Sequence, residues 1–233
     1  SFSAETTIAN PFATECDFLA LYPRPTSDEM VLLAADGNAG GPLVGAFWSG
    51  GSFLSWTQLC ASIDTNNQEC FGMAYESQTG KGVAVYTESG VATPRYRTLT
   101  GSTWSSQASL PTVGGVAKWI RLAADPTSNQ ILFASLDNQN DLNVNVWTGS
   151  WGTDQELETN CGADYDGRRF DIIFERGTGE ALIVYAENGV NNFRYRTWNG
   201  TSWSSEATGP SLGAQVELVS LSRGFSNGEI FAA

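Results

Sequence analysis

The chain has 233 residues, enough for one large domain with its own core, so length alone does not demand two. Hydrophobic residues make up 41%, aromatics 12% and charged residues only 16%, with 25 glycines; this excludes a disordered composition and suits many short strands joined by tight turns. A net charge of −13 repels phosphate backbones and anionic lipid, which excludes nucleic-acid and membrane-surface roles and leaves solubility as the plain reading, with divalent-cation binding or a self-repelling assembled surface as alternatives.

Along the chain, residues 1–15 open with Ser1-Phe2-Ser3-Ala4-Glu5-Thr6, a short aromatic-led strand. Residues 16–67 then read as a unit of four strands, here called a to d. Strand a is apolar and alternating (Asp17 to Leu21), and strand b is the most hydrophobic run (Met30 to Ala34). Strand c ends at Trp48-Ser49-Gly50, and strand d opens at Phe53. The same order returns in residues 68–117 (Phe71 to Tyr75, Val83 to Tyr86, Leu99-Thr100-Gly101, Trp104) and in residues 118–167 (Trp119 to Leu122, Ile131 to Ala134, Trp147-Thr148-Gly149, Trp151). Residues 168–215 repeat it again, with Phe170 to Phe174, Ala181 to Tyr185, Trp198-Asn199-Gly200 and Trp203. Asn-Gly is the strongest form of the short c–d hairpin. Residues 216–233 carry only strands a and b.

The repetition has two levels. Val85-Tyr86, Arg95-Tyr96-Arg97 and Trp104-Ser105-Ser106 return 99 residues later as Val184-Tyr185, Arg194-Tyr195-Arg196 and Trp203-Ser204-Ser205. Pro25-Thr26-Ser27 and Cys60 return 101 residues later as Pro126-Thr127-Ser128 and Cys161. A unit of about 100 residues therefore contains two related units of about 50, the spacing of four-stranded propeller blades. The expectation is an all-β fold, a β-propeller of about five four-stranded antiparallel blades forming a single domain. A β-solenoid or stacked sandwich is the runner-up. Because Ser1 to Thr6 match Ser202 to Ala207, the last blade is expected to take strands a and b from one terminus and strand d from the other. Its strand c is missing, left to an omitted segment, to a short blade, or to a strand from a neighbouring chain.

No histidine occurs, which removes the commonest general base and transition-metal ligand, and no cofactor is expected. The cysteines Cys16, Cys60, Cys70 and Cys161 form no CxxC pair; an even count in a polar chain suits an oxidising compartment, with Cys60–Cys70 or Cys16–Cys70 as disulfide candidates and the connectivity open. No run of about 18 apolar residues exists to span a membrane. Ser1 reads as the start of a mature or excised segment, with any leader or anchor outside it.

The strings VYAENGVNNFRYRTWNGTSWSSE and NDLNVNVWTGSWGTDQELETN resemble blades of large bacterial and archaeal surface or secreted repeat proteins, which implies an extracellular or cell-surface location. In outline, Val184-Tyr185 and Trp198-Asn199-Gly200 also resemble the blades of fucose-binding propeller lectins. The arginine that the family carries before Val-Tyr is replaced here by Leu182-Ile183, and its glutamate by Arg194-Tyr195, so that sugar site does not carry over. Asn199 to Trp203 is a degenerate relative of the Asp-box hairpin of sialidase-like propellers.

Several residue sets are candidate sites. Arg95-Tyr96-Arg97 and Arg194-Tyr195-Arg196 could cradle a sugar or acidic group with arginine forks and an aromatic platform, or could pack between blades and pair with carboxylates. Trp48, Trp104, Trp147, Trp198 and Trp203 could stack sugars or fill the core. Asp137, Asp141 and Asn143 are a weak calcium candidate against a polar b–c turn. Asp17 and Asp171 could line a central cavity as glycosidase acids, and Asn199 begins a glycosylation sequence. The functional expectation is a non-catalytic extracellular propeller acting in display, adhesion or assembly of a surface filament or pilus-like structure. A carbohydrate-binding lectin is the alternative, and a glycoside hydrolase fragment the third. The expected partners are the chain itself, through strand complementation, or surface glycans.

Overall fold

A computed structural model describes residues 8–12, 15–38, 40–64, 68–162, 167–226 and 228–233. It is all-β. The first sheet contains β1 (Cys16–Pro23), β2 (Met30–Asp36), β3 (Leu43–Ser49), β4 (Ser52–Phe53) and β5 (Thr57–Cys60). The second contains β6 (Phe71–Tyr75), β7 (Gly82–Tyr86), β8 (Arg95–Thr100), β9 (Thr103–Trp104) and β10 (Ala108–Ser109). The third holds β11 (Ala117–Ala124), β12 (Ile131–Asp137), β13 (Leu142–Trp147) and β14 (Gln155–Glu158). The fourth holds β15 (Phe170–Phe174), β16 (Ala181–Tyr185), β17 (Asn192–Trp198) and β18 (Ala207–Ser211). β19 (Leu221–Arg223) and β20 (Ile230–Ala232) pair as a two-stranded fifth sheet. Each sheet is an antiparallel meander, and the first strands β6, β11, β15 and β19 lie against one another in turn.

Strand b of each full sheet is buried on both faces, because its β-branched and aromatic side chains alternate between two neighbouring sheets. In β12, Ile131 and Phe133 pack toward the second sheet, whereas Leu132, Ala134 and Leu136 pack toward the fourth. In the first two sheets Val31, Leu33 and Ala35 meet Ala84 and Tyr86 in one cluster. The face-to-face stacking of these sheets, first strands innermost, is the arrangement of propeller blades.

Strand d does not run unbroken from its opening aromatic. Trp151 and Trp203 make single bridges back to Trp147 and Trp198, and pairing resumes only at β14 and β18. In the second and fourth sheets the reason is local. Ser105 and Ser204 donate their N–H groups to Thr98 and Thr197 O, and their hydroxyls accept from the Thr98 and Thr197 amides at 2.9 and 3.0 Å. A side chain thus replaces one rung of the ladder, which is why Trp-Ser follows each of these two hairpins. Gly200, at φ 95°, supplies the left-handed residue of the Asn199-Gly200 turn.

One expectation changes here. All four cysteines are free: Cys16 is exposed, while Cys60, Cys70 and Cys161 are buried. Burial raises the pKa of each buried thiol, that of Cys161 to about 12, and these residues serve as small apolar core groups rather than as clips. The closing strand assigned to Ser1–Thr6 lies outside the described residues.

Candidate functional site

The Arg-Tyr-Arg strands β8 and β17 show how alternation divides labour. Arg95 and Arg194 point one way and bond Glu88 and Glu187 at 2.8 and 2.7 Å through Nε, with Ser109 and Thr208 hydroxyls accepting from Nη1. The paired Arg95 guanidinium holds the Glu88 carboxyl below its ordinary range. Arg97 and Arg196 reach across to the neighbouring blade. Arg97 donates to Leu59 O at 3.0 Å and Ser105 O at 2.8 Å; Arg196 donates to Leu157 O at 3.1 Å and Ser204 O at 3.2 Å. Arg196 Nε also donates to the Tyr185 hydroxyl, which in turn donates to Glu206 at 2.7 Å. These guanidinium groups are engaged within the protein, as inter-strand and inter-blade fasteners.

Between the tyrosines, Tyr96 stands edge-on to Trp147 and Trp151 of the third sheet, at 5.6 and 6.1 Å, while Tyr195 has Phe193 as its aromatic neighbour among the described residues, at 6.3 Å, and packs on the cluster of Val184, Val216 and Leu221. Trp147 and Trp198 are buried and donate their indole N–H groups to Glu76 and Gln130 at 2.7 Å. Trp48 is tied to Phe53 at 4.9 Å, and Trp104 is half-buried against the first-sheet core.

Trp203 differs from these. It is half-buried, its indole N–H is buried and finds no partner among the described residues, and it lines a groove between the third and fourth sheets. The groove has a volume of about 490 Å³ and is lined by Gln155, Glu156, Leu157, Arg196 and Thr201 to Ser204. Strand β14 supplies one wall and the hairpin after β17 the other. The Asn199 side chain shapes that hairpin, because its Oδ1 accepts from Thr201 and Ser202 amides at 3.0 and 2.9 Å. An aromatic face, hydroxyls, an amide and a carboxylate in one open groove are the groups that bind polyols. Of the site residues expected from sequence, Arg196 and Trp203 come together here. Gln155, Glu156, Thr201 and Ser202 were not singled out; the signal that could have found them is that a c–d hairpin must face strand d of the preceding blade.

The other candidates have structural employment. Asp137 Oδ1 accepts from the amides of Gln139 and Asp141 at 2.8 and 3.0 Å, and Oδ2 from Gly115 N at 3.0 Å and Asn143 Nδ2 at 3.4 Å. Among the described residues no group of three acidic or thiol side chains converges as a metal site; the calcium candidates Asp137, Asp141 and Asn143 form a hydrogen-bonded turn. Nearby, burial and the charges of Glu156 and Asp137 push Asp154 up to about 7, and burial with Asp137, Glu156 and Glu158 pushes Asp141 to about 6. On the inner strands, Asp171 pairs with Arg168 at 3.0 Å and accepts from Leu221 N at 2.8 Å, while Arg121 bonds Glu69 at 2.7 Å. Asp17 is exposed at the start of β1.

No family model matches the chain, and no curated protein matches its sequence. Solved structures do. The catalytic domain of a GH62 α-L-arabinofuranosidase from Coprinopsis cinerea matches with a TM-score of 0.51 at 14% identity over 84% of this chain and 70% of that one. A lectin from Burkholderia pseudomallei gives 0.58 at 12%, over 83% and 56%. A variant of the Aleuria aurantia lectin, in complex with α-methyl-L-fucoside, gives 0.54 at 13%, over 92% and 68%, and a further structure of that lectin is described as a six-bladed β-propeller. At such identities the likeness establishes the fold alone. The chain is an all-β propeller, similar in outline to the fucose-binding lectin propellers.

Proposed function

We propose that this protein is a non-catalytic carbohydrate-binding propeller whose glycan site is the groove between the third and fourth sheets. The observation that carries the reading is Trp203: a half-buried aromatic lining an open groove beside Glu156, Gln155, Thr201 and Ser202. Stacking an aromatic on the apolar face of a sugar, with polar groups around its rim, is a low-entropy way to hold a polyol. Sugar-binding neighbours support it. The inner-strand carboxylates support the non-catalytic part, since Asp171 is held by Arg168 and a backbone amide rather than poised opposite a second free carboxylate. Such a protein belongs outside the cell, where its glycan partners are. The test is a glycan array followed by titration of any hit against Trp203→Ala. Retention that falls at least tenfold in the variant supports the site. An array without a binder, or a hit unaffected by Trp203→Ala and Glu156→Gln, removes it.

A second reading, assembly into a surface filament or pilus-like structure, is favoured by one observation: apolar side chains stand uncovered on the outward faces of the first and fifth sheets. Sedimentation of the wild-type protein over a concentration series tests it, and a monomer throughout removes it.

A further inference from the structure

The groove between the third and fourth sheets is rich in hydrogen-bond acceptors, and most of its donors are already engaged. On the hairpin wall the Thr201 and Ser202 hydroxyls donate to Asn199 Oδ1 at 3.0 and 3.4 Å, and the Ser204 hydroxyl donates to Ser205 O at 2.9 Å. A hydroxyl whose hydrogen is engaged presents its lone pairs to anything that approaches. Arg196 directs Nε to the Tyr185 hydroxyl, Nη1 to Ser204 O and Nη2 to Leu157 O. The same tyrosine hydroxyl donates to Glu206 at 2.7 Å, which sets a carboxylate beside that guanidinium. The lining thus leaves for a ligand the Trp203 ring, hydroxyl lone pairs, the Gln155 amide and the Glu156 carboxylate.

The wall that carries Glu156 is acidic along its length. β12 to β14 and their connections hold Asp137, Asp141, Asp154, Glu156 and Glu158, and no Lys or Arg occurs between Arg121 and Arg168. Burial raises the pKa of both Asp154 and Asp141, and the charge of Glu156 raises both further. In the second and fourth sheets the acids are answered on strand c, where Arg95 bonds Glu88 and Arg194 bonds Glu187. Counted back from Leu99, Trp147 and Trp198, each paired with the first residue of its strand b, the two arginine positions of the third sheet hold Asn143 and Asn145. The third sheet has kept the acids of the repeat and lost its arginines.

The fold does not call for Glu156. At the junction of the first and second sheets Arg97 takes Leu59 O as Arg196 takes Leu157 O, and Trp104 is half-buried as Trp203 is. There Gln58, paired with Val44, holds the register position that Glu156, paired with Asn143, holds in the third sheet. The two junctions share a frame and differ by a charge on the exposed wall.

We infer that the ligand of the groove is an oligosaccharide bearing free amino groups, a de-N-acetylated hexosamine chain, with an ammonium on Glu156 and a ring face on Trp203. The inference rests on the carbohydrate reading above and names its substrate class. An ammonium brings three donors and no acceptor, which complements a lining of lone pairs and a carboxylate. A uronate or sulfated sugar would bring its charge against Glu156 and against the net −13 of the chain.

The experiment is calorimetric titration of the whole protein with three probes: a tetramer of β-1,4-linked glucosamine, the same tetramer fully N-acetylated, and an oligogalacturonate of equal length. Wild type, Glu156→Gln and Trp203→Ala are compared at low and at high sodium chloride. The glucosamine tetramer is expected to bind tightest and the oligogalacturonate not at all. Glu156→Gln, which gives this groove the residue of the first junction, should weaken the glucosamine tetramer about fivefold, the worth of a partly exposed ion pair. It should leave the N-acetylated tetramer unchanged, and Trp203→Ala should lose both. High salt should narrow the gap between the two tetramers. N-acetylated or other sugars that bind through Trp203 at least as tightly as the glucosamine tetramer, unmoved by Glu156→Gln, overturn the amino-sugar inference and leave the groove reading standing. Glucosamine binding that salt abolishes and neither variant moves is attraction to the acidic surface at large, and overturns the inference too. If none of the three probes binds and a glycan array yields no hit, both the inference and the carbohydrate reading fall.

Discussion

Trp198 and Trp203 stand 5.3 Å apart between ring centroids with their planes tilted by 54°, on either side of the Asn199-Gly200 turn. They share chemistry and differ in burial. Trp198 is closed in the core with its N–H on Gln130, while Trp203 lines the groove. Trp198→Ala is expected to cost about 3–5 kcal/mol of stability, as large aromatic truncations in cores do. Trp203→Ala should cost far less stability and should instead abolish glycan retention. Thermal melts alongside binding titrations separate the two.

Stability should fall as pH rises from 5 to 8. Asp154 and Asp141 have folded-state pKa values of about 7 and about 6, above the ordinary carboxylate value, because burial and neighbouring carboxylates disfavour the charged form. The folded state therefore holds more protons than the unfolded state in that window. Their stabilising contribution is complete below the unfolded pKa and is lost as pH passes through 6 and 7. Asp154→Asn should flatten the upper part of this dependence in urea melts at fixed salt. A slope unchanged by the variant would count against Asp154 as its source.

Arg196 fastens the fourth sheet to the third through Leu157 O and to its own hairpin through Ser204 O. Arg196→Met keeps most of the aliphatic stem and removes the donors, leaving carbonyl groups without partners. The expected loss is about 1–3 kcal/mol. Arg196→Lys should not restore it, because a single ammonium cannot serve two carbonyls and the Tyr185 hydroxyl in the fork geometry of a guanidinium. Equilibrium denaturation of the two variants checks both statements.

Thiol labelling should divide the cysteines. Cys16 is exposed and should react with a maleimide within minutes, while Cys60, Cys70 and Cys161 should react only on unfolding. Mass spectrometry of the labelled protein, unreduced, would show one adduct in native buffer and four in denaturant. A native protein two mass units light per lost pair of thiols would mean that two cysteines are bridged.

Much of this fold was legible in the sequence. β15 and β16 coincide with the runs Phe170 to Phe174 and Ala181 to Tyr185, because strands buried on both faces leave an unbroken β-branched and aromatic signature. The break in strand d was not legible, since it is set by the Ser105 and Ser204 hydroxyls replacing a ladder rung, and serine carries no such signal by itself. The roles of the arginines were hidden for another reason. The carbonyl that receives Arg97 belongs to Leu59, 38 residues away, and any residue type could have offered it. The groove was missed similarly: Gln155 and Glu156 face Trp203 only once two blades are stacked.

The arginine fasteners recur at every second junction: Arg97 on Leu59 O ties the second sheet to the first, and Arg196 on Leu157 O ties the fourth to the third. The equivalent strand of the third sheet, Leu142 to Trp147, has no arginine at all. The junction between the second and third sheets is held by other means, the Arg121–Glu69 ion pair and the Trp147 indole on Glu76. Seams fastened on backbone carbonyls thus alternate with a seam fastened on carboxylates, and rising salt should loosen the second kind before the first.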